Sequence, residues 1–418
     1  MQGTPVNLRY LKLVDMKHGL FLKITACLIF SATTVFGQKQ VTEGFNFTEK
    51  QLPVMLSEIN AARANYNNPK LLLPRTLTKS GGLSIVPVSD WCSGFFPGEL
   101  WYLFEYTKDP NWLSQAKKFT AYLEPEKFNK GTHDLGFEIY CSFGNGYRLT
   151  HDTAYKSIII QSARSLSSRF DPKVGAIKSW GKMGQGKYTV IIDNMMNLEL
   201  LFEATRLSGD SSFYKIAIVH ANTTLKNHFR PDYSSYHVVN YDQATGGVIE
   251  KVTAQGYNNE SAWARGQAWG LYGYTMCYRE TKDNKYLVQA GHIADFILHN
   301  PGLPKDLIPY WDYNVPDKIN QSRDVSAAAI TASALLELGT YSKKNGKEYN
   351  SAAIKILDNL KSYRAKVGET HGFLLLHSTG NAPIKVEIDA PLIYADYYYL
   401  EALTRLKRLN AHRPVVQQ

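Results

Sequence analysis

Two aspartates lie 59 residues apart in matching settings, Thr132-His133-Asp134-Leu135-Gly136-Phe137 and Ile191-Ile192-Asp193-Asn194-Met195-Met196-Asn197, each immediately before an expected helix. Two carboxylates that open onto one reacting bond can divide the work of general acid and general base. The Val190-Ile191-Ile192 run ahead of Asp193 would desolvate it, and desolvation raises a carboxyl pKa enough to keep a proton available near neutrality. Asp134 instead follows a histidine. An aspartate before a helix is also a preferred N-cap, so each one alone fits a purely structural role.

A second cluster lies between Gln255 and Asp283, where Gln255, Gly256, Tyr257, Trp263, Arg265, Gly266, Gln267, Trp269 and Tyr272 crowd the start of one expected helix. Flat apolar faces beside a fork of fixed donors suit a ring that carries hydroxyls and a carboxylate. Aromatic residues at helical spacing also make ordinary core, and both readings fit one helix with a wet first turn and a packed remainder. An arginine between two tryptophans, if buried, needs an anionic or carbonyl partner.

Other chemistries lack their residues. No Gly-x-Ser-x-Gly elbow, His-Glu-x-x-His pair or phosphate loop occurs. Gly144-Asn145-Gly146 and Gly184-Gln185-Gly186 read as loop bends, and His237, far in sequence from a second ligand, reads as structural. No metal and no cofactor are expected.

The elements that must position these groups show a degenerate repeat of paired helices. Helices meet at Thr107-Lys108-Asp109, Thr150-His151-Asp152, Ser208-Gly209-Asp210 and Thr281-Lys282-Asp283, with a diverged copy over 341–347. Each turn ends one helix and caps the next. Successive aspartates are 43, 58 and 73 residues apart, so the units are hairpins with insertions of varying length. Strand-like pieces, Tyr188 to Ile192 and Tyr233 to Asn240, fall between them. With a first helix near 52–66 and a last one over 390–409, about a dozen helices make roughly six hairpins. The favoured architecture is all-α, an (α/α)6 double-layered barrel in a single domain over 45–412. An open α-solenoid is the alternative, disfavoured by a closing helix from Pro391 to Tyr399 that is apolar nearly all round.

The N-terminus has the layout of a secretory signal: Lys17, His18 and Lys23 precede an apolar run from Ile24 to Phe36. The expected true start is Met16, with cleavage after Gly37 and a periplasmic product. Ile24-Thr25-Ala26-Cys27 also resembles a lipoprotein box, which would anchor the chain through Cys27. Cys92, Cys141 and Cys277 are then left, an odd number at wide spacing that argues against a disulfide framework or a thiolate metal site. Of the formal charge of +10, residues 1–37 carry +3, leaving +7 on the mature chain. A mild positive field suits an acidic substrate. Scattered Lys and Arg without a groove-reading motif argue against nucleic acid.

Taken in order, five blocks resemble the unsaturated glucuronyl hydrolases, glycoside hydrolase family 88. They are Asp90-Trp91-Cys92-Ser93-Gly94-Phe95-Phe96-Pro97-Gly98-Glu99-Leu100-Trp101, His133 to Phe137, Asp193 to Asn197, Gln255-Gly256-Tyr257 with Ser261 to Trp269, and Glu387 to Tyr398. The resemblance implies a barrel enzyme that hydrates the C4=C5 vinyl ether of a 4,5-unsaturated uronic acid at the non-reducing end of lyase-generated oligosaccharides. It implies Asp193 as the general acid and base and Asp134 as the second essential carboxylate. It places Trp91, Trp180, His237, Gln255, Arg265 and Trp269 around the substrate, with Arg265 on the uronate carboxylate or an adjacent hydroxyl and Trp91 and Trp180 stacking. The loop His377-Ser378-Thr379-Gly380-Asn381-Ala382-Pro383-Ile384-Lys385 keeps the Lys385 of members that grip a sulfate but not their serine spacing. The expected partner is an unsaturated acidic oligosaccharide bound by a monomer or dimer. Three rivals are an unsaturated rhamnogalacturonyl hydrolase, an α/α-toroid polysaccharide lyase and a non-catalytic glycan-binding protein.

Overall fold

The computed structural model describes residues 37–64, 68 and 70–417. The signal and lipoprotein readings of residues 1–36 fall outside the described residues.

The first helix, α1, runs over 37–64, starting well before the expected 52–66. Its polar-looking opening carries a stripe of Val41, Phe45, Thr48, Leu52, Met55 and Ile59, all at most 1% exposed. The stripe steps by three and four residues, the spacing that keeps one helical face toward a core.

From there the chain alternates between two layers. The inner layer consists of α2 (Phe95–Thr107), a π-helical run Gly136–Gly144 continued by α4 (Asn145–Thr150), α6 (Leu198–Ser208), α8 (Ala264–Thr281), α10 (Val325–Tyr341) and α12 (Ile393–Asn410). The outer layer is α1 with α3 (Pro110–Ala121), α5 (Thr153–Ser167), α7 (Ser211–Asn227), α9 (Asn284–His299) and α11 (Gly346–Asn359). Each inner element packs on its two neighbours, and α12 packs on α2, so the ring is closed and the open solenoid is excluded. α1 completes the last hairpin from outside: a Cβ at Gly44 would lie 2.3 Å from Leu403 of α12. The architecture is the all-α six-hairpin barrel.

Four of the hairpin turns share one construction. The Thr or Ser hydroxyl donates back into its own helix and accepts the N–H of the Asp, at 3.1–3.3 Å in all four. The middle residue (Lys108, His151, Gly209 or Lys282) takes a left-handed conformation with φ between 55° and 77°. The Asp carboxylate then caps the next helix by accepting the N–H two residues on. Gly144-Asn145-Gly146, expected as a bend, is helical. The glycines are there for packing: a Cβ at Gly146 would meet Trp101 at 2.8 Å and Tyr155 at 2.6 Å. Gly184 and Gly186 do sit in a turn, with φ of 71° and 61°.

Because hairpins alternate direction, all inner helices point the same way and their N-termini share one mouth. Short strands decorate that end. β1 (Leu71–Leu77) pairs with β2 (Leu83–Pro87), and β3 (Phe170–Asp171) pairs with β4 (Ala176–Ile177). β5 (Tyr188–Ile191), β6 (Val238–Tyr241) and β7 (Val248–Val252) form an antiparallel sheet with Val238 opposite Ile191. The expected strand from Tyr233 starts only at Val238, because Tyr233 turns at φ 67° and its N–H bonds Arg230 O.

The opposite end is held by buried charge. Arg279 on α8 binds Glu199, Glu280 and Glu337, and Arg405 on α12 binds Glu337 at 3.0 Å and Glu401 at 3.3 Å. Glu337 on α10 thus sits between two arginines from the helices on either side. Glu337→Ala is expected to cost about 3–5 kcal/mol in urea unfolding, because it leaves two buried guanidinium groups facing each other without their shared carboxylate.

Candidate active site

Neither Asp134 nor Asp193 is a helix cap. The true caps, Asp109, Asp152, Asp210, Asp283 and Asp324, each accept a helical N–H, whereas the helices beginning at Gly136 and Ile192 show no side-chain cap. Asp134 lies two residues before the π-helical run, half-buried. Its carboxylate accepts the Thr132 hydroxyl at 3.2 Å and lies 3.4 Å from Nε2 of buried His133. Asp193 falls in the first turn of a 3-10 helix, Ile192–Asn197, that β5 feeds directly into the inner ring. A close approach links the two turns: Phe137 N–H donates to Asn197 Oδ1 at 3.1 Å, and a Cβ on Gly136 would lie 2.5 Å from Asn197 Cα.

Asp193 is the electrostatic focus. It is buried and its Oδ2 has no hydrogen-bond partner within the protein. Burial raises its pKa to about 7, and the negative charge of Asp134 pushes the same way. Arg265, the residue's own backbone N–H and the Trp269 indole N–H pull against the rise without overcoming it. The apolar Val190-Ile191-Ile192 approach therefore does what the sequence suggests.

His237 faces Asp193, with Nε2 3.7 Å from Oδ2. Its Nδ1 accepts the backbone N–H groups of Ala254 and Gln255, both at 3.2 Å, so the ring proton sits on Nε2 and points at the carboxyl. Burial, with Arg265 and His228 nearby, lowers the His237 pKa to about 3 and keeps the imidazole neutral. Trp180, 39% exposed, stands edge-on to His237 at 5.8 Å, and Trp263 lies against it at 4.5 Å. A histidine that reads as structural in the sequence is thus brought to the carboxyl by the β5–β6 pairing.

Arg265 is engaged by the protein itself. Nη1 donates to Asp324 Oδ2 at 2.8 Å and Thr379 O at 2.6 Å, and Nη2 donates to Gln255 Oε1 at 2.7 Å and Gly380 O at 2.6 Å. Both terminal nitrogens of this 2% exposed guanidinium are thus committed to partners within the protein. Its charge acts on Asp193 from behind, and its hydrogen bond fixes the Gln255 amide.

Trp269 is fully buried against Phe137 and Tyr398, at 5.2 and 5.4 Å. It forms the floor under Asp193, with its indole N–H facing that carboxyl but outside hydrogen-bond geometry. Trp91 is half-buried in a wall with Phe95, Phe137 and Tyr394. Arg75 lies 6.0 Å from its ring and bonds Asp90 and Glu387. Lys385 stands apart. It is exposed on the hairpin loop 377–390, in a surface pocket with Trp311, Arg323, His377 and Asp389. The base of that loop, Thr379 and Gly380, reaches the site through Arg265, and its Glu387 binds Arg75 beside Trp91.

Sequence reasoning missed Asp324, the fully buried partner of Arg265. Its only sequence signal is a cap pattern before the Ala-rich start of α10, which says nothing about a second partner 59 residues away. Among the described residues no group of three or more His, Cys, Asp or Glu side chains converges as a metal site.

No protein-family model matches the chain. Individual relatives do. An unsaturated glucuronyl hydrolase of Formosa agariphila is 51% identical over 328 residues, 78% of this chain and 82% of that one. An unsaturated chondroitin disaccharide hydrolase of Streptococcus pyogenes serotype M1 is 32% identical over 90% of this chain and 93% of its own. A crystal structure of an unsaturated glucuronyl hydrolase specific for heparin superposes with a TM-score of 0.83 at 46% identity, covering 89% of this chain and 98% of the other. A substituted enzyme from Streptococcus agalactiae, complexed with dGlcA-GalNAc6S, gives a TM-score of 0.71 at 28% identity over 87% of this chain and 90% of the other. With half of its aligned residues shared with one such hydrolase and the barrel shared with others, the chain belongs to the unsaturated glucuronyl hydrolase family of glycoside hydrolases.

Proposed function

We propose that this hydrolase removes the 4,5-unsaturated uronic acid from the non-reducing end of lyase-generated glycosaminoglycan oligosaccharides by hydrating the C4=C5 bond, with Asp193 as the proton donor. The observation that carries the reading is a buried carboxyl with a pKa of about 7, open to the mouth where Asp134, His237 and Trp180 converge.

The steps follow from that geometry. Protonated Asp193 gives its proton to C4, and positive charge develops over C5 and the ring oxygen. Asp134 and the new Asp193 carboxylate stabilise that charge. Asp193 then takes a proton from water as its oxygen bonds to C5, which restores the acid and forms a C5 hemiketal. Opening of the hemiketal leaves C1 as a hemiacetal, which expels the shortened glycan. One water is consumed overall. Neutral His237 offers a single N–H toward Asp193 Oδ2, so it steadies the carboxyl and takes no proton: its other nitrogen already accepts two backbone N–H groups. That arrangement speaks against the lyase reading, which needs a free base. The converging N-termini of the inner helices favour the uronate carboxylate at this mouth.

Greater likeness to the heparin-specific structure than to the chondroitin-disaccharide complex, 46% against 28% identity, favours heparin-derived fragments among the glycosaminoglycans. Lys385, exposed on the loop whose base meets Arg265, is assigned to sulfate contact. Residues 1–37 are assigned to an export signal, with cleavage after Gly37 ranked above lipidation at Cys27, and residues 45–412 to one periplasmic catalytic domain acting as monomer or dimer.

The direct test follows the ultraviolet absorbance of the conjugated uronate with unsaturated heparin, chondroitin and hyaluronan disaccharides. A fall, fastest with heparin, is expected. A rise with intact polysaccharide would instead mark a lyase, and silence with all of them would favour pectin fragments or simple binding. Asp193→Asn should lower kcat by about 10²–10⁴-fold with KM changed little, and a near-normal rate in that variant would sink the assignment. Asp134→Asn should be comparably impaired. For the parent enzyme, kcat is expected to decline as pH rises through about 7, where Asp193 loses its proton.

The same raised pKa has a stability consequence. The folded state binds the Asp193 proton more tightly than the unfolded state, so stability falls as pH climbs from the ordinary carboxyl range toward 7 and is then level. Asp193→Asn removes this penalty. Its melting temperature should match the parent near pH 4 and exceed it above pH 7, by a free energy on the order of 4 kcal/mol at most. Equal melting temperatures at both pH values would show that the carboxyl is not desolvated.

A further inference from the structure

Arg169, between α5 and β3, is a buried arginine with no carboxylate on it. It is 1% exposed, and its hydrogen bonds go to backbone carbonyls: Nε to Lys178 O at 2.8 Å, Nη1 to Lys130 O at 2.8 Å, and Nη2 to Ser179 O at 3.0 Å and Gly181 O at 3.1 Å. Burying a guanidinium on neutral acceptors is costly, and burial lowers the Arg169 pKa. Tyr188 and Asp134 offset this in part.

The four acceptors belong to the two segments that matter at the mouth. Lys178, Ser179 and Gly181 bracket Trp180, the exposed ring that stands edge-on to His237. Lys130 lies in the loop that runs on to His133 and Asp134. The turn around Trp180 is also tied to its own strand and tip, by Ser179 N–H to Thr189 O at 2.7 Å, Ile191 N–H to Ser179 Oγ at 3.0 Å and the Lys178 ammonium to Lys182 O and Gln185 O at 2.8 and 2.6 Å, but among these contacts only Arg169 joins it to the loop before Asp134. One planar fork can span carbonyls from two separate loops at fixed angles, and a lysine ammonium cannot.

We propose that Arg169 is a positioning residue for the glycan site, a buried fork that locks the Trp180 turn and the Asp134 loop to one another. It touches neither the reacting carbons nor the departing sugar. The inference rests on the reading of the mouth as a sugar site with Trp180 as a stacking face.

The test is a double-mutant cycle on the purified full enzyme with an unsaturated disaccharide, using Arg169→Lys, Trp180→Ala and the pair. Arg169→Lys keeps the charge but loses the fork. We expect it to raise KM about tenfold and to lower kcat less than threefold, and to add less than twofold to KM once Trp180 is alanine. Independent, multiplying effects on KM, or an unchanged KM in the folded single variant, would overturn the proposal. If Trp180→Ala alone leaves KM unchanged, the stacking role of Trp180 fails and the positioning role fails with it, while loss of turnover in Asp193→Asn would still stand for the reaction itself. Should Arg169→Lys not fold, hydrogen exchange of the unaltered enzyme decides: Ser179 and Trp180 amides as slow as those of α5, against fast exchange over 183–186, support the lock, and uniformly fast exchange over 178–186 overturns it.

Discussion

Closure of the inner ring, where α12 meets α2 and brings the last helix of the chain against the first inner one, is the constraint on which the site depends. A closed ring of hairpins forces every inner helix to run the same way. Residues placed just before those helices, Asp134, Asp193, Trp263, Asp324 and the Trp91 segment, then meet at one mouth although they are spread over most of the chain. The close helix approaches this requires are visible at Gly94, where a Cβ would lie 2.0 Å from Phe137 O. The α1 helix contributes from outside by covering α12.

Buried charge is paired differently at the two ends of the barrel. At the closed end, Arg279 and Arg405 hold Glu199, Glu337 and Glu401 in ion pairs that tie neighbouring helices together, although burial still raises the Glu199 pKa to about 7. At the mouth, Arg265 is matched to Asp324 and three oxygen acceptors, while Asp193 is left with an unpartnered oxygen. Burial is the main cause of its raised pKa, and the Arg265 charge offsets it only in part. The neutral tautomer of His237, fixed by two backbone donors, adds a hydrogen-bond donor beside the carboxyl without adding a charge. A protonated acid near pH 7 is thus a property of the surroundings assembled around one aspartate.

Much of this was legible in the chain alone. The Thr/Ser-x-Asp turns signalled hairpins because capping and left-handed chain reversal are local chemistry, settled within a few residues. The apolar run before Asp193 announced desolvation for the same reason. The start of α1 was hidden because its polar residues mask a stripe that makes sense only once α12 and α2 supply a face for it. Gly144 and Gly146 read as bends because a glycine that admits an aromatic neighbour looks, in sequence, like one that turns the chain. The internal partners of Arg265 were hidden because Asp324, Thr379 and Gly380 lie 59 to 115 residues away.

The sequence by itself therefore determined the hairpin repeat and the all-α barrel, and singled out Asp134 and Asp193 as candidates, since these rest on short-range patterns and on the order of the blocks along the chain. Only the tertiary structure decided how deeply Asp193 is buried, which nitrogen of His237 faces it, and that Arg265 and Arg169 grip the protein's own carbonyls. Those outcomes depend on burial and on partners distant in sequence, and a pKa or a hydrogen bond belongs to the assembled surroundings of a group.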